Sequence, residues 1–271
     1  SRVRDIIYHK EITVMMGTNT FLSAYQKTAH PYDFHHVKLA VAGGEKLTDE
    51  TRKVYAEQFG IRILEGYGST ECAPVISCNT PLHNKAGTVG IALPGVTFDL
   101  TPFPSRENAF ELSVKGDNVM LGYLLASNPG VLTPPSNGWY QTGDVIEQDH
   151  QGFVQIVDRV KRFAKIGGEM ISLSQIENVI QTCWPDYQHG LVTIRDEKRG
   201  EKIVLVTTNK QADKHELIKA INASGLNNLS LPSVIETMNE LPLLGSGKID
   251  YVKLKSLVNT LIEEMTVAEM G

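Results

Sequence analysis

The alternation of strand-like and helix-like segments between residues 12 and 64 limits the possible folds of this chain more than any other feature. Three short apolar runs, residues 12–16, 37–42 and 61–64, are separated by two segments with helical spacing, 21–28 and 48–59. Strands that are joined through helices must pair in parallel, with crossovers of one hand. This region is therefore predicted to be the C-terminal part of a large α/β domain with parallel strands.

Two glycine-containing segments follow successive strands of this predicted sheet. They are residues 43–45 (Gly-Gly-Glu) and residues 66–71 (Gly-Tyr-Gly-Ser-Thr-Glu). Parallel sheets bind ligands outside the carboxyl ends of their strands, and glycines allow the backbone to turn sharply and to approach a ligand. We expect both segments at one edge, with a flat ligand such as a nucleobase between them. An ordinary exit from strand to loop is the alternative for the second segment taken alone.

The pattern of apolar segments and turn residues changes twice after this region. Short apolar segments separated by glycine and proline turns predict a small β-barrel-like subdomain over residues 87–158. Helical and strand patterns then alternate over residues 159–271 and predict a small α+β domain. One of its helices, over residues 174–182, opens with the capping-box spacing of Ser174 and Glu177.

Composition excludes several classes of protein. The 271 residues, 41% of them hydrophobic, suffice for more than one domain, and a net charge of −5 gives no general attraction to nucleic acid or to an anionic membrane. Cys72, Cys78 and Cys183 are odd in number and lack paired short spacings, which favours neither a disulfide framework nor a structural metal site. A reducing cytosol fits this usage best, and no apolar run approaches the ~18 residues of a spanning helix.

Four short segments occur in a fixed order along the chain. They are residues 66–71, residues 139–144 (Trp-Tyr-Gln-Thr-Gly-Asp), residues 158–168 (beginning Asp-Arg-Val-Lys) and residues 245–248 (Gly-Ser-Gly-Lys). Each is common by itself. In this order and at these separations they resemble the adenylate-forming superfamily, which includes acyl-CoA synthetases, peptide-synthetase adenylation domains and luciferases. The similarity extends over essentially the whole chain.

Several short sequence segments are most similar to one branch of that superfamily. Residues 30–34 (His-Pro-Tyr-Asp-Phe), 162–166 (Arg-Phe-Ala-Lys-Ile) and 243–248 (Leu-Leu-Gly-Ser-Gly-Lys) look like the synthetase half of the bacterial bifunctional acyl-acyl-carrier-protein synthetase / 2-acylglycerophosphoethanolamine acyltransferase. The resemblance implies that ATP and Mg²⁺ convert a fatty acid into an acyl-adenylate, which passes to the phosphopantetheine thiol of acyl carrier protein. The thioester would then serve reacylation of lysophosphatidylethanolamine through an upstream domain absent here. The whole protein would lie at the cytoplasmic face of the inner membrane.

The resemblance also implies a nucleotide site. Tyr67 would stack on adenine, with the backbone of Gly43, Gly44 and Glu45 on the other face, and Gly68 belongs to the same binding motif. A tyrosine that packs beneath a loop is the alternative. In this interpretation residues 1–86 are the C-terminal part of the large α/β nucleotide-binding subdomain.

Three polar residues complete the implied nucleotide contacts, and Arg159 should approach the same nucleotide. Glu71 would hold Mg²⁺, a hard cation that prefers carboxylate oxygens, and Thr70 would donate its hydroxyl to the α-phosphate. Asp144 would accept hydrogen bonds from both ribose hydroxyls, because an ionised carboxylate has only acceptors. A solvated loop carboxylate and a plain turn between strands are the alternatives for Glu71 and Asp144.

Lysines carry the implied chemistry. Lys248 would neutralise the negative charge that gathers when the carboxylate attacks the α-phosphorus. Its segment is not a Walker loop, because Pro242 and Ile249 occupy positions that this motif gives to glycine and to Ser or Thr. Lys161 matches the family's hinge, about which the C-terminal domain would move as a lid, and Lys165 would face the nucleotide in the second step.

The basic residues around the hinge have a second interpretation. A solvated basic stripe, or a docking patch for the acidic carrier protein, would also account for them. The residues concerned are Arg159, Lys161, Arg162 and Lys165.

Two signatures of the family are missing from the sequence. We find no Gly/Ser/Thr-rich phosphate loop, and no histidine is followed five positions later by aspartate, as in the acyltransferase half. We therefore expect the chain to be the C-terminal part of a longer synthetase that does not form acyl-AMP by itself. The alternatives are a fatty acyl-CoA ligase, which differs in its thiol acceptor, and a non-catalytic module that docks carrier protein.

Overall fold

The computed structural model describes residues 2–104, 106–245 and 247–269, and the chain divides into two compact units. The first unit extends to Val157 and the second begins at Asp158. Ser246, in the Gly-Ser-Gly-Lys segment, lies outside the described residues, as do the side chains of residues 262–269.

The helices of the first unit are α1 (Arg2–His9), α2 (Asn19–Gln26) and α3 (Asp49–Gln58). Its strands are β1 (Val14–Gly17), β2 (Leu39–Ala42), β3 (Ile63–Gly68), β4 (Val75–Cys78), β5 (Ile91–Ala92), β6 (Thr97–Pro102), β7 (Ala109–Lys115), β8 (Tyr123–Leu124), β9 (Leu132–Thr133), β10 (Tyr140–Gln148) and β11 (Val154–Arg159), the last of which continues into the second unit.

The first sheet contains the predicted parallel strands. Its order is β1-β2-β3-β4-β5, and the first three strands pair in parallel. The crossover helices α2 and α3 begin at the N-caps Thr18 and Thr48, whose side chains accept hydrogen bonds from backbone amides of the first turn. Leu22 and Tyr55 of these helices pack with Ile63 in one buried cluster. Strand β4 then returns antiparallel to β3, so the sheet is mixed and its pairing continues past residue 86.

The second sheet is antiparallel, with the order β11-β10-β7-β6, and β8 and β9 form a separate hairpin. In the described residues this sheet is open rather than closed into a barrel. Buried side chains of the second sheet, including Leu112 and Ile146, pack with Cys72 and Ile76 of the first sheet region in one cluster. This shared core fixes the turn after β3 against β10.

The second unit is a sheet covered on both faces. Its elements are β12 (Phe163–Ile166), β13 (Glu169–Ser172), α4 (Leu173–Cys183), β14 (His189–Asp196), β15 (Gly200–Thr207), α5 (Lys214–Ala223), β16 (Val234–Thr237) and α6 (Tyr251–Glu269). The strand order is β13-β12-β15-β14, with β16 parallel to β15. Side chains of β14 alternate, so that Leu191 packs with α4 and α5 while Val192 packs with α6. The expected fold class, mixed α/β with an α+β C-terminal part, is confirmed.

Two local predictions differ from the structure. Helix α4 begins after Ser172, whose side chain accepts from the Gln175 amide at 3.2 Å, so the predicted capping box of Ser174 and Glu177 is wrong. Ser172 is the last residue of β13 and immediately precedes α4, so its side chain, and not that of Ser174, can accept from the free amides of the first turn. Helix α1 was not predicted. None of the described helices combines the length and apolarity that crossing a membrane requires.

Candidate active site

Tyr67 lies in strand β3 and not in the turn that its flanking glycines suggested. Gly66, Tyr67 and Gly68 are all paired with β4, and the chain turns only afterwards, in a 3-10 turn at Thr70–Cys72. A Cβ atom on Gly68 would lie 1.8 Å from the carbonyl oxygen of Pro74. Glycine is therefore needed because β4 approaches closely, and the sharp turn expected at these glycines is wrong.

Tyr67 and Asp144, which are 77 residues apart in the chain, form a hydrogen bond. The Tyr67 hydroxyl donates to Asp144 Oδ2 at 2.5 Å. Asp144 is 5% exposed and lies in β10, where the register with β7 shifts between Gln141 and Val145. This bulge, with Gly143 at a φ of +70°, directs the carboxylate of Asp144 toward β3.

Thr142 holds the bulge in place. Its hydroxyl donates to the carbonyl oxygen of Leu112 at 2.8 Å and accepts from the Asp144 amide at 3.1 Å. The Thr-Gly-Asp segment thus has three separate tasks: Thr142 ties β10 to β7, Gly143 supplies the left-handed conformation, and Asp144 presents a carboxylate. A plain turn between strands does not describe this arrangement.

The Gly43-Gly44 segment lies beside β3 at the carboxyl end of β2. A Cβ atom on Gly43 would lie 3.7 Å from the carbonyl oxygen of Gly66, and Gly44 has a φ of +77°. The Glu45 carboxylate accepts hydrogen bonds from the amide and hydroxyl of Thr20, at 2.9 and 2.8 Å, in the first turn of α2. The structure therefore places the two glycine-containing segments at one edge of the sheet.

Glu71 follows in the 3-10 turn, where Thr70 is exposed to solvent. The Tyr123 hydroxyl donates to Glu71 Oε1 at 2.7 Å, and this bond is the main cause that lowers the pKa of the Glu71 carboxyl. The hydroxyls of Tyr140 and Ser69 also lower the pKa, although Ser69 Oγ is buried without reaching hydrogen-bond geometry with a described residue. Glu71 is thus an ionised carboxylate at neutral pH.

The donor set around Glu71 suits one mode of Mg²⁺ binding. Among the described residues no three or more His, Cys, Asp or Glu side chains are grouped so as to hold a metal. Mg²⁺ is usually bound through one or two carboxylates together with substrate phosphates and water, rather than by an all-protein cage. A single ionised carboxylate beside an exposed threonine hydroxyl fits that mode, in which Glu71 would be the protein ligand.

The remaining candidate residues belong to the second unit. Arg159 and Lys161 are exposed, and Lys161 lies in a 3-10 turn at Val160–Arg162. Asp158, just before them, is buried and accepts hydrogen bonds from the hydroxyls of Ser172 and Ser174 at the start of α4. The chain is therefore fixed to the second unit immediately before Lys161.

Arg162 differs from its basic neighbours. Its guanidinium forms an ion pair with Glu177 at 2.6 Å, donates to the Leu191 carbonyl at 3.0 Å, and lies 3.9 Å from the ring centroid of Tyr251. Burial raises the pKa of the Glu177 carboxyl, and the charge of Arg162 opposes this. Placing Arg162 in a solvated stripe or docking patch is therefore wrong. The sequence feature that could have indicated this ion pair is Glu177, an acidic residue next to the apolar positions of α4.

Lys165 and Lys248 are both exposed residues of the second unit. Lys165 is in β12, opposite Met170, and the residues that follow form a hairpin turn through Gly167 and Gly168, with φ values of +61° and +91°. Lys248 lies in a tight turn closed by the pairing of residues 243 and 249, where its carbonyl oxygen accepts from the Leu244 amide at 2.8 Å.

This chain is similar in sequence to a known enzyme family and to a characterised ligase. Residues 1–124 match the AMP-binding enzyme family. The long-chain-fatty-acid--CoA ligase of Salmonella typhimurium (strain LT2) is 30% identical over 246 residues, which cover 88% of this chain and 44% of the ligase. The chain therefore spans less than half the length of the curated relatives that it matches.

Two solved structures share the fold. ATP-bound MatB from Rhodopseudomonas palustris aligns with a TM-score of 0.75 at 23% identity, covering 94% of this chain and 52% of MatB. The o-succinylbenzoate CoA synthetase MenE from Bacillus subtilis, in complex with the acyl-adenylate intermediate OSB-AMP, aligns with a TM-score of 0.76 at 24% identity, covering 94% of this chain and 53% of MenE.

Proposed function

We propose that this chain belongs to the AMP-binding enzyme superfamily and provides the adenosine-binding region and the lid of an ATP-dependent acid-thiol ligase that activates a fatty acid as acyl-AMP. The observation that carries the proposal is the hydrogen bond between Tyr67 and Asp144. It brings an aromatic ring and a buried carboxylate together from two separate motifs. The fatty acid is suggested by the ligases to which the chain is similar.

The first unit would hold the adenosine. The Tyr67 ring stacks on adenine, with the backbone of Gly43 and Gly44 on the opposite face, and Asp144 accepts from the ribose hydroxyls. The Tyr67 hydroxyl occupies one of the roughly four acceptor positions that a carboxylate offers. Arg159 would approach the same nucleotide.

Adenylation would follow from charge neutralisation. An oxygen of the fatty-acid carboxylate attacks the α-phosphorus, the bond between the α-phosphorus and the bridging oxygen breaks, and pyrophosphate leaves. Thr70 donates to the α-phosphate and the Lys248 ammonium neutralises its developing charge. Bound through Glu71, Mg²⁺ would supply further positive charge to the phosphates.

Thioester formation would be the second step. The thiolate attacks the acyl carbonyl carbon, the carbon–sulfur bond forms, and AMP leaves with the carboxyl oxygen. Lys161 would act as the hinge that presents Lys165 and its hairpin in place of Lys248. Asp158, tied to the start of α4, and Arg162, tied to Glu177, bracket the hinge within the second unit.

The thiol acceptor has two candidates. The similarity to a long-chain-fatty-acid--CoA ligase favours coenzyme A, whereas the sequences of residues 162–166 and 243–248 favour acyl carrier protein. With carrier protein as acceptor, the thioester would serve lysophosphatidylethanolamine reacylation by a further domain, at the cytoplasmic face of the inner membrane.

Nucleotide binding tests the proposal directly. Isothermal titration of the 271-residue chain should show binding of AMP, and Asp144→Asn should weaken it about tenfold or more, since hydrogen bonds to a charged group contribute about 1.5–3 kcal/mol each. AMP lacking both ribose hydroxyls should bind the wild type as weakly as AMP binds Asp144→Asn. Absence of AMP binding, or equal affinity in the variant, would refute the proposal.

The acceptor can be identified without the adenylation step. The chain is supplied with synthetic palmitoyl-AMP and either coenzyme A or holo-acyl-carrier protein, and thioester is measured by mass spectrometry. Faster reaction with carrier protein supports the synthetase, and faster reaction with coenzyme A supports the CoA ligase. A Lys165→Ala variant with unchanged rate would exclude Lys165 from this step.

A further inference from the structure

The segment that precedes and includes β8 is attached to the turn of Glu71 at several points. The Asn118 side-chain amide donates to the carbonyl oxygens of Cys72 and Val75, at 2.9 and 3.0 Å. The Met120 amide donates to the Glu71 carbonyl oxygen at 2.7 Å. Residues 118–120 therefore hold the backbone of the Glu71 turn.

Tyr123 adds a contact to the side chain of Glu71. Its hydroxyl donates to Glu71 Oε1 at 2.7 Å, although the tyrosine itself is 44% exposed. Its position is set by the β8–β9 hairpin, in which Tyr123 pairs with Thr133. At Gly122, a Cβ atom would lie 2.4 Å from the Thr133 carbonyl oxygen, so the close approach of the two strands requires glycine there.

The groups around Glu71 leave its negative charge available. Two other acidic residues of the first unit are instead paired with cations: Glu65 with Arg52 at 2.7 Å and Asp149 with Lys85 at 2.6 Å. Within the described part of the chain, the groups that lower the pKa of Glu71 are neutral donors, and the Tyr123 hydroxyl makes the largest contribution. A neutral donor orients a carboxylate without cancelling its charge, and one hydrogen bond uses only part of the acceptor capacity of Oε1.

We propose that Tyr123 is a positioning residue that orients the Glu71 carboxylate for the divalent cation of the bound nucleotide. This inference rests on the proposed function. Carboxylates that ligate metals are commonly hydrogen-bonded by an outer shell, and loss of such a partner typically weakens metal binding about 10–100-fold. Tyr123 contributes through Glu71 and makes no contact with the reacting atoms.

The opposite role would have a different signature. If the Tyr123 hydroxyl merely occupies the place of the cation, removing it should strengthen metal binding. Measuring the affinity of the chain for ATP with and without Mn²⁺ distinguishes the positioning role from this opposite role. Mn²⁺ is a suitable probe because it takes the same oxygen ligands as Mg²⁺. The ratio of the two affinities measures the contribution of the cation and needs no turnover.

The experiment measures ATP binding in the presence of Mn²⁺ and in the presence of EDTA, for the wild type and for Tyr123→Phe. We expect Tyr123→Phe to lower the Mn²⁺-dependent ratio about tenfold, with the affinity measured in EDTA unchanged. Glu71→Gln should abolish the Mn²⁺ dependence, so that ATP binds with the same affinity in Mn²⁺ and in EDTA. Tyr187→Phe, at a tyrosine of similar exposure (41%) in the second unit, is the matched control and should leave both affinities unchanged.

Two results would overturn the inference, and both are distinguishable from failure of the proposed function. An unchanged or increased ratio in Tyr123→Phe, with normal binding in EDTA, would reject the positioning role and leave the nucleotide site standing. Equal loss of affinity in EDTA and in Mn²⁺ would indicate a general structural role for the hydroxyl. A wild type that binds no ATP in either condition would refute the proposed function itself.

Discussion

Replacement of Gly68 by alanine should destabilise the first unit strongly, because strand β4 passes too close to β3 for a methyl group. A Cβ atom on Gly68 would lie 1.8 Å from the Pro74 carbonyl oxygen and 2.9 Å from Val75 Cα, whereas ordinary contacts begin at 3.4 Å. Both obstacles are backbone atoms, so no side-chain rotation relieves the clash. Strand β4 must therefore move away from β3 at the Gly68–Val75 pair.

The expected cost follows from two contributions. Overpacking a rigid site costs about 1–3 kcal/mol, and each backbone hydrogen bond lost from the pairing adds about 1 kcal/mol. Gly68→Ala should therefore lower the free energy of unfolding of the first unit by about 3 kcal/mol. Gly43→Ala is the matched control at the same sheet edge, because its Cβ would lie 3.7 Å from the nearest atom, an ordinary contact.

Hydrogen exchange read by mass spectrometry measures this loss for each unit separately. Peptides from β3 and β4 should exchange faster in Gly68→Ala, while peptides from β14 and β15 of the second unit keep wild-type protection. A change below about 1 kcal/mol in Gly68→Ala, or an equal change in Gly43→Ala, would refute the close-approach explanation.

Three further predictions concern the cores of the two units. Leu112→Ala should lower the free energy of unfolding of the first unit by about 3 kcal/mol, because Leu112 is completely buried; urea unfolding with less than about 1 kcal/mol of change would contradict this. Arg162→Met should destabilise the second unit by about 3 kcal/mol, since it leaves the Glu177 carboxylate largely buried without its cation, and the double variant with Glu177→Leu should recover part of the loss in the same assay. Burial lowers the pKa of His189 in the folded chain, so the stability that this residue contributes is present above its ordinary pKa of about 6.5 and is lost as the pH falls below it. His189→Gln should remove this part of the pH dependence in thermal melts, and an identical pH profile for the variant would contradict the assignment.

Local periodicity was sufficient to predict the parallel part of the first sheet. The apolar runs at residues 37–42 and 61–64 became β2 and β3, because alternating strands and crossover helices leave few ways to pair. In the second unit, the alternation of helical and strand patterns predicted a small α+β domain, within which β14 and β15, adjacent in the chain, pair as an antiparallel hairpin.

Features that depend on contacts between distant residues could not be predicted from one sequence. Gly66 and Gly68 suggested a turn, but the approach of β4 extends β3 through both of them. The bulge that directs Asp144 toward Tyr67 depends on the pairing of β10 with β7. The group of Arg162, Glu177 and Tyr251 likewise joins three elements of the second unit that sequence spacing does not connect.

Backbone amide NMR during titration with AMP tests the central claim most directly, because it reports on both motifs of the first unit at once. The amide signals of Tyr67 and Asp144 should shift together, with one dissociation constant, and signals from the core of the first unit should remain in place. Shifts confined to one of these two segments, or saturable binding of AMP that leaves both unchanged, would contradict a shared adenosine site.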